Sequence, residues 1–179
     1  MKRCTWCNLN NPNYVRYHDD EWGVLNTNDK YLLEMLILES FQAGLSWECV
    51  LNKRDNFREA YDNFDLEKIC LYDDNKINEL LCNEGIIRNK LKIKSSISNA
   101  KIFKKIVKNH GSFYDYLKSF YNGKTIYEIG NTTNWLSDLI SKDLYKKGMR
   151  FVGSTIIYSY LQAIGIINSH DEDCFLYKK

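Results

Sequence analysis

Apolar residues recur at three- and four-residue intervals along most of the chain, the spacing that gathers them on one face of an α-helix. The pattern predicts helices over residues 29–43, 46–60, 75–82, 88–108, 112–121, 135–147 and 154–165. Glycines at 23, 44, 85, 111, 123, 130, 148 and 153 punctuate these runs, and Pro12 is the only proline, so little after it need interrupt a helix. Residues 1–25 show no sustained period and read as irregular. The alternation expected of a strand is confined to a weak signal in KTIYEI, residues 124–129. The class expected is all-α, with the 179 residues in a single domain.

One position breaks the pattern. In LLEMLILESFQAGLSW, residues 32–47, Glu39 shares the apolar stripe of an amphipathic helix with Leu32, Met35, Leu36 and Ala43. A carboxylate taken from water is costly unless something polar or cationic meets it. The pattern leaves two readings: an acid satisfied by nearby N–H or hydroxyl groups, or an acid kept for a ligand.

Composition narrows the classes. Hydrophobic residues at 44% and charged residues at 27% are the balance of a soluble globular protein. Aromatics reach 14%, with thirteen Tyr and four Trp, more than a core alone usually asks for. No window is long and apolar enough to span a membrane, and the N-terminus lacks the apolar core of a signal peptide, so a cytoplasmic protein is expected. The net charge of +2 announces no polyanion, but its distribution is uneven. Arg88, Lys90, Lys92, Lys94, Lys101, Lys104, Lys105 and Lys108 occur between Gly85 and His110 without one acid. That run is either a solvated lysine face or a surface for nucleic acid.

Six cysteines in a reducing compartment read as thiols or metal ligands rather than disulfides. His170 and Cys174 stand four residues apart, one helical turn, as two ligands of one metal can. Cys4, Cys7 and His18 lie near the other terminus. Two Cys and two His would make a tetrahedral zinc set clipping the chain ends together, with Cys4 and Cys7 competing for one place. The rival is a set of isolated buried cysteines and surface histidines.

Residues 135–165 read as a helix, a short turn bracketed by Gly148 and Gly153, and a second helix that Ser154 or Thr155 can cap. Free backbone N–H groups at that helix start, beside Lys146, Lys147 and Arg150, suit a phosphate. The turn resembles the helix-hairpin-helix element that grips DNA backbone in repair glycosylases; an ordinary helical corner explains it as well.

Six blocks taken together are more specific. RCTW (3–6), YHDDEWGV (17–24), QAGLSW (42–47), GIIRNKLKI (85–93), RFVGSTI (150–156) and NSHDEDC (168–174) resemble, in order and approximate spacing, the type I 3-methyladenine DNA glycosylases of bacterial base-excision repair. The resemblance implies a helix-hairpin-helix glycosylase fold acting on double-stranded DNA that carries alkylated adenine; a monomer is the default expected of an enzyme that engages one lesion at a time. It implies hydrolysis of the N-glycosidic bond of 3-methyladenine, with the free base and an abasic site as products. It implies a structural Zn2+ held by Cys4, His18, His170 and Cys174, leaving Cys7 outside. Such an enzyme extrudes its target into a pocket. By the same resemblance Glu39 reads the adenine amine at the pocket floor, and Tyr14, Tyr17, Trp22 and Trp47 form its walls. Gly44 and Leu45 probe the gap left in the base stack, while Lys146, Arg150, Gly153 and Ser154 hold the DNA backbone.

Two departures from the wider superfamily matter. Asn168 stands where most members carry a catalytic Asp, and Asn cannot act as a general base. Phe151 stands where the common hairpin has its first glycine. The expectation is therefore that positioning and the lability of a cationic leaving group do most of the work, with Glu39 a binding residue before it is a chemical one. The alternative is a non-catalytic, zinc-stabilised DNA-binding module. A zinc deaminase is disfavoured, because its H-x-E…P-C-x-x-C arrangement is lacking.

Overall fold

The computed structural model describes residues 1–178, and most of them are helical. In chain order the elements are α1 (Pro12–Asp20), α2 (Asp29–Gln42), α3 (Trp47–Leu51), α4 (Arg54–Ala60), α5 (Leu66–Cys70), α6 (Asp74–Cys82) and α7 (Lys90–His110). There follow α8 (Phe113–Lys118), β1 (Ile126–Tyr127), α9 (Trp135–Lys146), α10 (Ser154–Ala163) and β2 (Ile167–Asn168). The weak alternation at 124–129 does make a strand, but only two residues of it. Ile126 and Tyr127 pair in parallel with Ile167 and Asn168.

The centre is α2. An amphipathic stripe was the expectation, yet every residue from Leu32 to Phe41 is buried. A helix apolar on nearly all sides belongs in the middle of a fold, and α2 packs against α3, α7, α8 and α10. Its start is set by Asn28, whose side chain accepts from the N–H groups of Lys30 and Tyr31. One contiguous core, including Leu33, Phe57, Phe103, Tyr116, Leu144 and Leu161, runs around it.

Several expectations need correction. Residues 1–25 are not all irregular: Asn11 caps α1 and Pro12 occupies its first turn. The helix expected over 46–60 is two, α3 and α4, interrupted at Asn52 and Lys53. A short turn joins α9 to α10, but neither Ser154 nor Thr155 caps α10. Gly153 is the cap residue and supplies no side chain, while Ser154 pairs with the Ser137 hydroxyl at 2.9 Å and with Asp138.

Candidate active site

α2 carries two buried acids, and their surroundings differ completely. Glu34 Oε1 accepts from Arg54 Nε at 2.7 Å and from Arg58 Nε at 2.9 Å. Five residues on, Glu39 is 2% exposed and its Oε2 has no hydrogen-bond partner among the described residues. Burial alone pushes the Glu39 carboxyl up to about 8. The acid is therefore not one satisfied by its neighbours. An orphaned buried oxygen is a standing cost, which a ligand can remove.

The space before Glu39 is a cleft of about 340 Å³, within the range of small-ligand sites, roughly 300–1,000 Å³. All five expected base-binding residues line it: Tyr14 and Tyr17 from α1, Trp22 just beyond, Glu39 from α2 and Trp47 at the start of α3. Local chemistry holds them there. Ser46 caps α3 by accepting from the Cys49 N–H, and Glu48 ties α3 to the start of α1 by accepting from Asn8 and Asn11, both at 2.8 Å. The Tyr17 and Trp47 rings lie 5.2 Å apart between centroids. Burial, with Glu39 nearby, raises the Tyr17 hydroxyl well above its ordinary value, and burial moves Tyr14 up to about 12, so both stay neutral. Trp47 Nε1 is a second buried polar atom without a partner among the described residues. One side of the cleft thus offers aromatic faces, an unpaired acid and an unpaired donor.

Other lining residues were not foreseen. Trp6 joins the aromatic wall, with its ring 4.7 Å from that of Trp22. Its place in RCTW, between the two candidate cysteine ligands, was the available signal. Gln42 and, across the cleft, Ser159, Gln162 and Ser169 supply polar groups, with Gln162 Nε2 donating to Ser169 Oγ at 2.9 Å. Asn168 does not line the cleft. Its Oδ1 faces His170 Nδ1 at 2.9 Å and its Nδ2 donates to the Gly23 carbonyl, so its amide is already committed.

Behind the aromatic wall, ligand atoms of Cys4, His18, His170 and Cys174 lie within 4.8 Å of one another, and all four residues are buried. Cys7 is outside this group. Their environment fits a cation. His18 Nδ1 is held by Asp19 at 2.8 Å and His170 Nδ1 by Asn168, which turns each Nε2 toward the sulfurs. His170 Nε2 has no partner among the described residues, and His18 Nε2 meets the Cys4 N–H at 3.2 Å and Cys174 Sγ at 3.5 Å. The N–H groups of Asp171 and Leu176 point at the sulfurs of Cys4 and Cys174. Burial pushes the Cys4 thiol up and, with His18 nearby, takes the His170 imidazole down to about 4. Two thiols and two imidazole nitrogens buried this close together are what a thiophilic cation would hold.

The remaining expected residues lie on two exposed turns. Gly44, at φ +81°, and Leu45, 43% exposed, follow α2 directly, between the cleft residues Gln42 and Trp47. Lys146, Arg150 and Gly153 are exposed on the α9–α10 turn, and Ser154 is half-buried. A Cβ at Gly153 would meet nothing within 4 Å, which leaves room for an approaching chain. Phe151, in the place of a glycine, keeps a glycine's backbone at φ +55°, a conformation costing a bulky side chain about 1–3 kcal/mol. Of the basic run, Lys92 alone is buried.

Aromatic side chains and an unpaired buried acid thus line one cleft, a combination suited to a flat, electron-poor ring. The methyladenine glycosylase family model matches residues 6–177, and the chain belongs to that family. The chain is 41% identical over 184 residues to DNA-3-methyladenine glycosylase 1 of Escherichia coli (strain K12), covering 99% of this chain and 97% of the relative. It is 36% identical over 178 residues to DNA-3-methyladenine glycosylase of Haemophilus influenzae, with 96% of each covered. Among solved structures, 3-methyladenine DNA glycosylase I superposes with a TM-score of 0.94 at 40% identity, over 99% of this chain and 100% of that one. The Staphylococcus aureus 3-methyladenine DNA glycosylase I, a structure concerned with 3-methyladenine recognition, matches with a TM-score of 0.93 at 31% identity, over 100% of this chain and 98% of that one.

Proposed function

We infer that this chain is a DNA-3-methyladenine glycosylase that hydrolyses the N-glycosidic bond of 3-methyladenine in alkylated duplex DNA. The observation that carries the reading is the unpartnered Glu39 carboxyl at the floor of an aromatic cleft, in a chain of this family. Methylation at N3 makes the base cationic, so it departs as a neutral molecule once the N9–C1′ bond breaks. Water adds at C1′, its proton passes to solvent, and an abasic site remains. The aromatic walls favour the cationic base over neutral adenine. Glu39, neutral in the empty cleft, ionises over a cation, and unmodified adenine gains no such pairing. Asn168 takes no part in the chemistry; it orients His170.

Gly44 and Leu45 fill the gap left by the extruded nucleotide. The α9–α10 turn acts as a helix-hairpin-helix, with the α10 N-terminus and Arg150, Lys146 and Ser154 on the DNA backbone. Cys4, His18, His170 and Cys174 hold a structural zinc, which when bound would pin both chain ends behind Trp6 and Trp22. The four-ligand set leaves no open position for catalysis. The chain works as one domain and a monomer, in the cytoplasm; among the described residues no helix is long and apolar enough to cross a membrane.

The test is to incubate the protein with methylated duplex DNA and resolve released bases by chromatography. Release of 3-methyladenine, leaving alkali-labile sites, is expected. A folded, metal-loaded protein that binds the duplex and releases nothing would refute the enzyme reading.

A further inference from the structure

Lys92 is 8% exposed, and its ammonium makes no ion pair with a carboxylate among the described residues. It sits in the first turn of α7, which holds no acid. The positive end of that helix disfavours a cation there. What receives the charge is another helix. Lys92 Nζ donates to the carbonyls of Phe41 at 2.8 Å and Ala43 at 2.5 Å, the negative end of α2, whose last turn has no basic residue of its own. Ala43 is where the chain leaves the helix, at φ −46° and ψ 112°. Gly44 and Leu45 follow at once, the Leu45 N–H returning to the Gln42 carbonyl.

The same corner meets the α9–α10 turn. Lys92 Nζ lies 5.9 Å from the centre of the Phe151 ring. Ser40, next to Glu39, turns its hydroxyl to the Phe151 carbonyl at 3.2 Å as well as to Leu36. Asn99, two turns along α7 from Lys92, exchanges hydrogen bonds of 2.8 and 2.9 Å with the backbone of Arg150. Three side chains therefore tie the end of α2, the start of α7 and the hairpin into one corner. A neutral donor could have capped α2 without burying a charge.

We propose that Lys92 is a positioning residue for base extrusion, its ammonium fixing the exit of α2 so that Leu45 is presented to DNA in register with the hairpin. The proposal rests on the glycosylase reading above. Lys92 does not line the cleft, so it acts on entry of the nucleotide and not on reading the base.

The experiment compares wild type, Lys92→Met, Leu45→Gly and the double variant in two assays: affinity for free 3-methyladenine by tryptophan fluorescence, and kcat/KM for base release from methylated duplex. Lys92→Met is expected to bind the free base within about twofold of wild type and to release base roughly tenfold more slowly. In the Leu45→Gly background the same substitution should change release by less than about twofold, because the group it positions is gone. Lys92→Gln, which keeps a donor without the charge, carries the comparison if the Met variant does not fold. Wild-type release rates in the variants, parallel loss of free-base affinity, or an undiminished effect without Leu45 would each overturn the proposal. A wild type that releases no base would remove the glycosylase reading itself and the proposal with it.

Discussion

Replacing Glu39 by Gln should make the protein more stable while impairing it. The side chain is 2% exposed and its Oε2 is unpartnered, and burial lifts its carboxyl from 4.5 to about 8. The folded state therefore binds a proton that the unfolded chain has lost across that interval. The stability of the neutral form is fully present below 4.5 and drains away as pH rises through about 8. At about 1.4 kcal/mol per pH unit, holding this acid costs the wild type up to roughly 3 kcal/mol at pH 7 and under about 1 kcal/mol at pH 5. Gln has the same shape and does not titrate, so its advantage should grow with pH. For a chain of this length roughly 3 kcal/mol corresponds to a Tm rise of about 6–12 °C, an upper figure because the buried amide also lacks partners. Thermal melts of both proteins by circular dichroism at pH 5, 6, 7 and 8 provide the check. A Tm difference that stays constant across this range would refute the reasoning, since only a buried titrating acid makes it vary in that direction.

Metal analysis should find one zinc per chain in the wild type and in Cys7→Ala, and little in Cys4→Ala; chelation should lower the Tm of the first two only. Arg150→Ala should weaken binding to undamaged duplex and reduce the slope of log affinity against log salt by about one, read by fluorescence anisotropy across a salt series. Free 3-methyladenine affinity should not change in that variant.

How far the sequence carries depends on what fixes each element. The long helices α7, α9 and α10 follow from period and flanking glycines, and α2 from a long apolar run before Gly44; their observed limits fall within two residues of those expected. α1 was missed although Asn11 and Pro12 are start signals, because the helix is only nine residues long, mostly polar, and buries just Tyr17 and His18. The break between α3 and α4 carries no glycine or proline. It turns Arg54 toward Glu21 and Glu34, a tertiary ion pair that no local pattern encodes. The turn at Asp62–Phe64 has φ near +50° at three successive non-glycine residues; Asp62 and Asn63 tolerate that backbone, but nothing local marks Phe64 for it.

The site was more legible than its supports. An acid among apolar positions drew attention to Glu39, and family motifs gathered the aromatic residues that do share its cleft. Lys92 was hidden by its neighbours: in a run of eight basic residues nothing local separates a buried lysine from seven exposed ones. The polar side of the cleft, Ser159, Gln162 and Ser169, lies where α10 and the segment after it face α1, a juxtaposition only the fold creates.

The most direct test of the central claim is single-turnover release of 3-methyladenine from methylated duplex by wild type and by Glu39→Ala, both confirmed folded and equally metal-loaded. Release by the wild type and a loss of at least about a hundredfold in the variant are expected, as for removal of a charged, desolvated contact of roughly 3 kcal/mol. Equal release by the two proteins would contradict that claim, and would mean that the unpartnered acid in the cleft is not what reads the base.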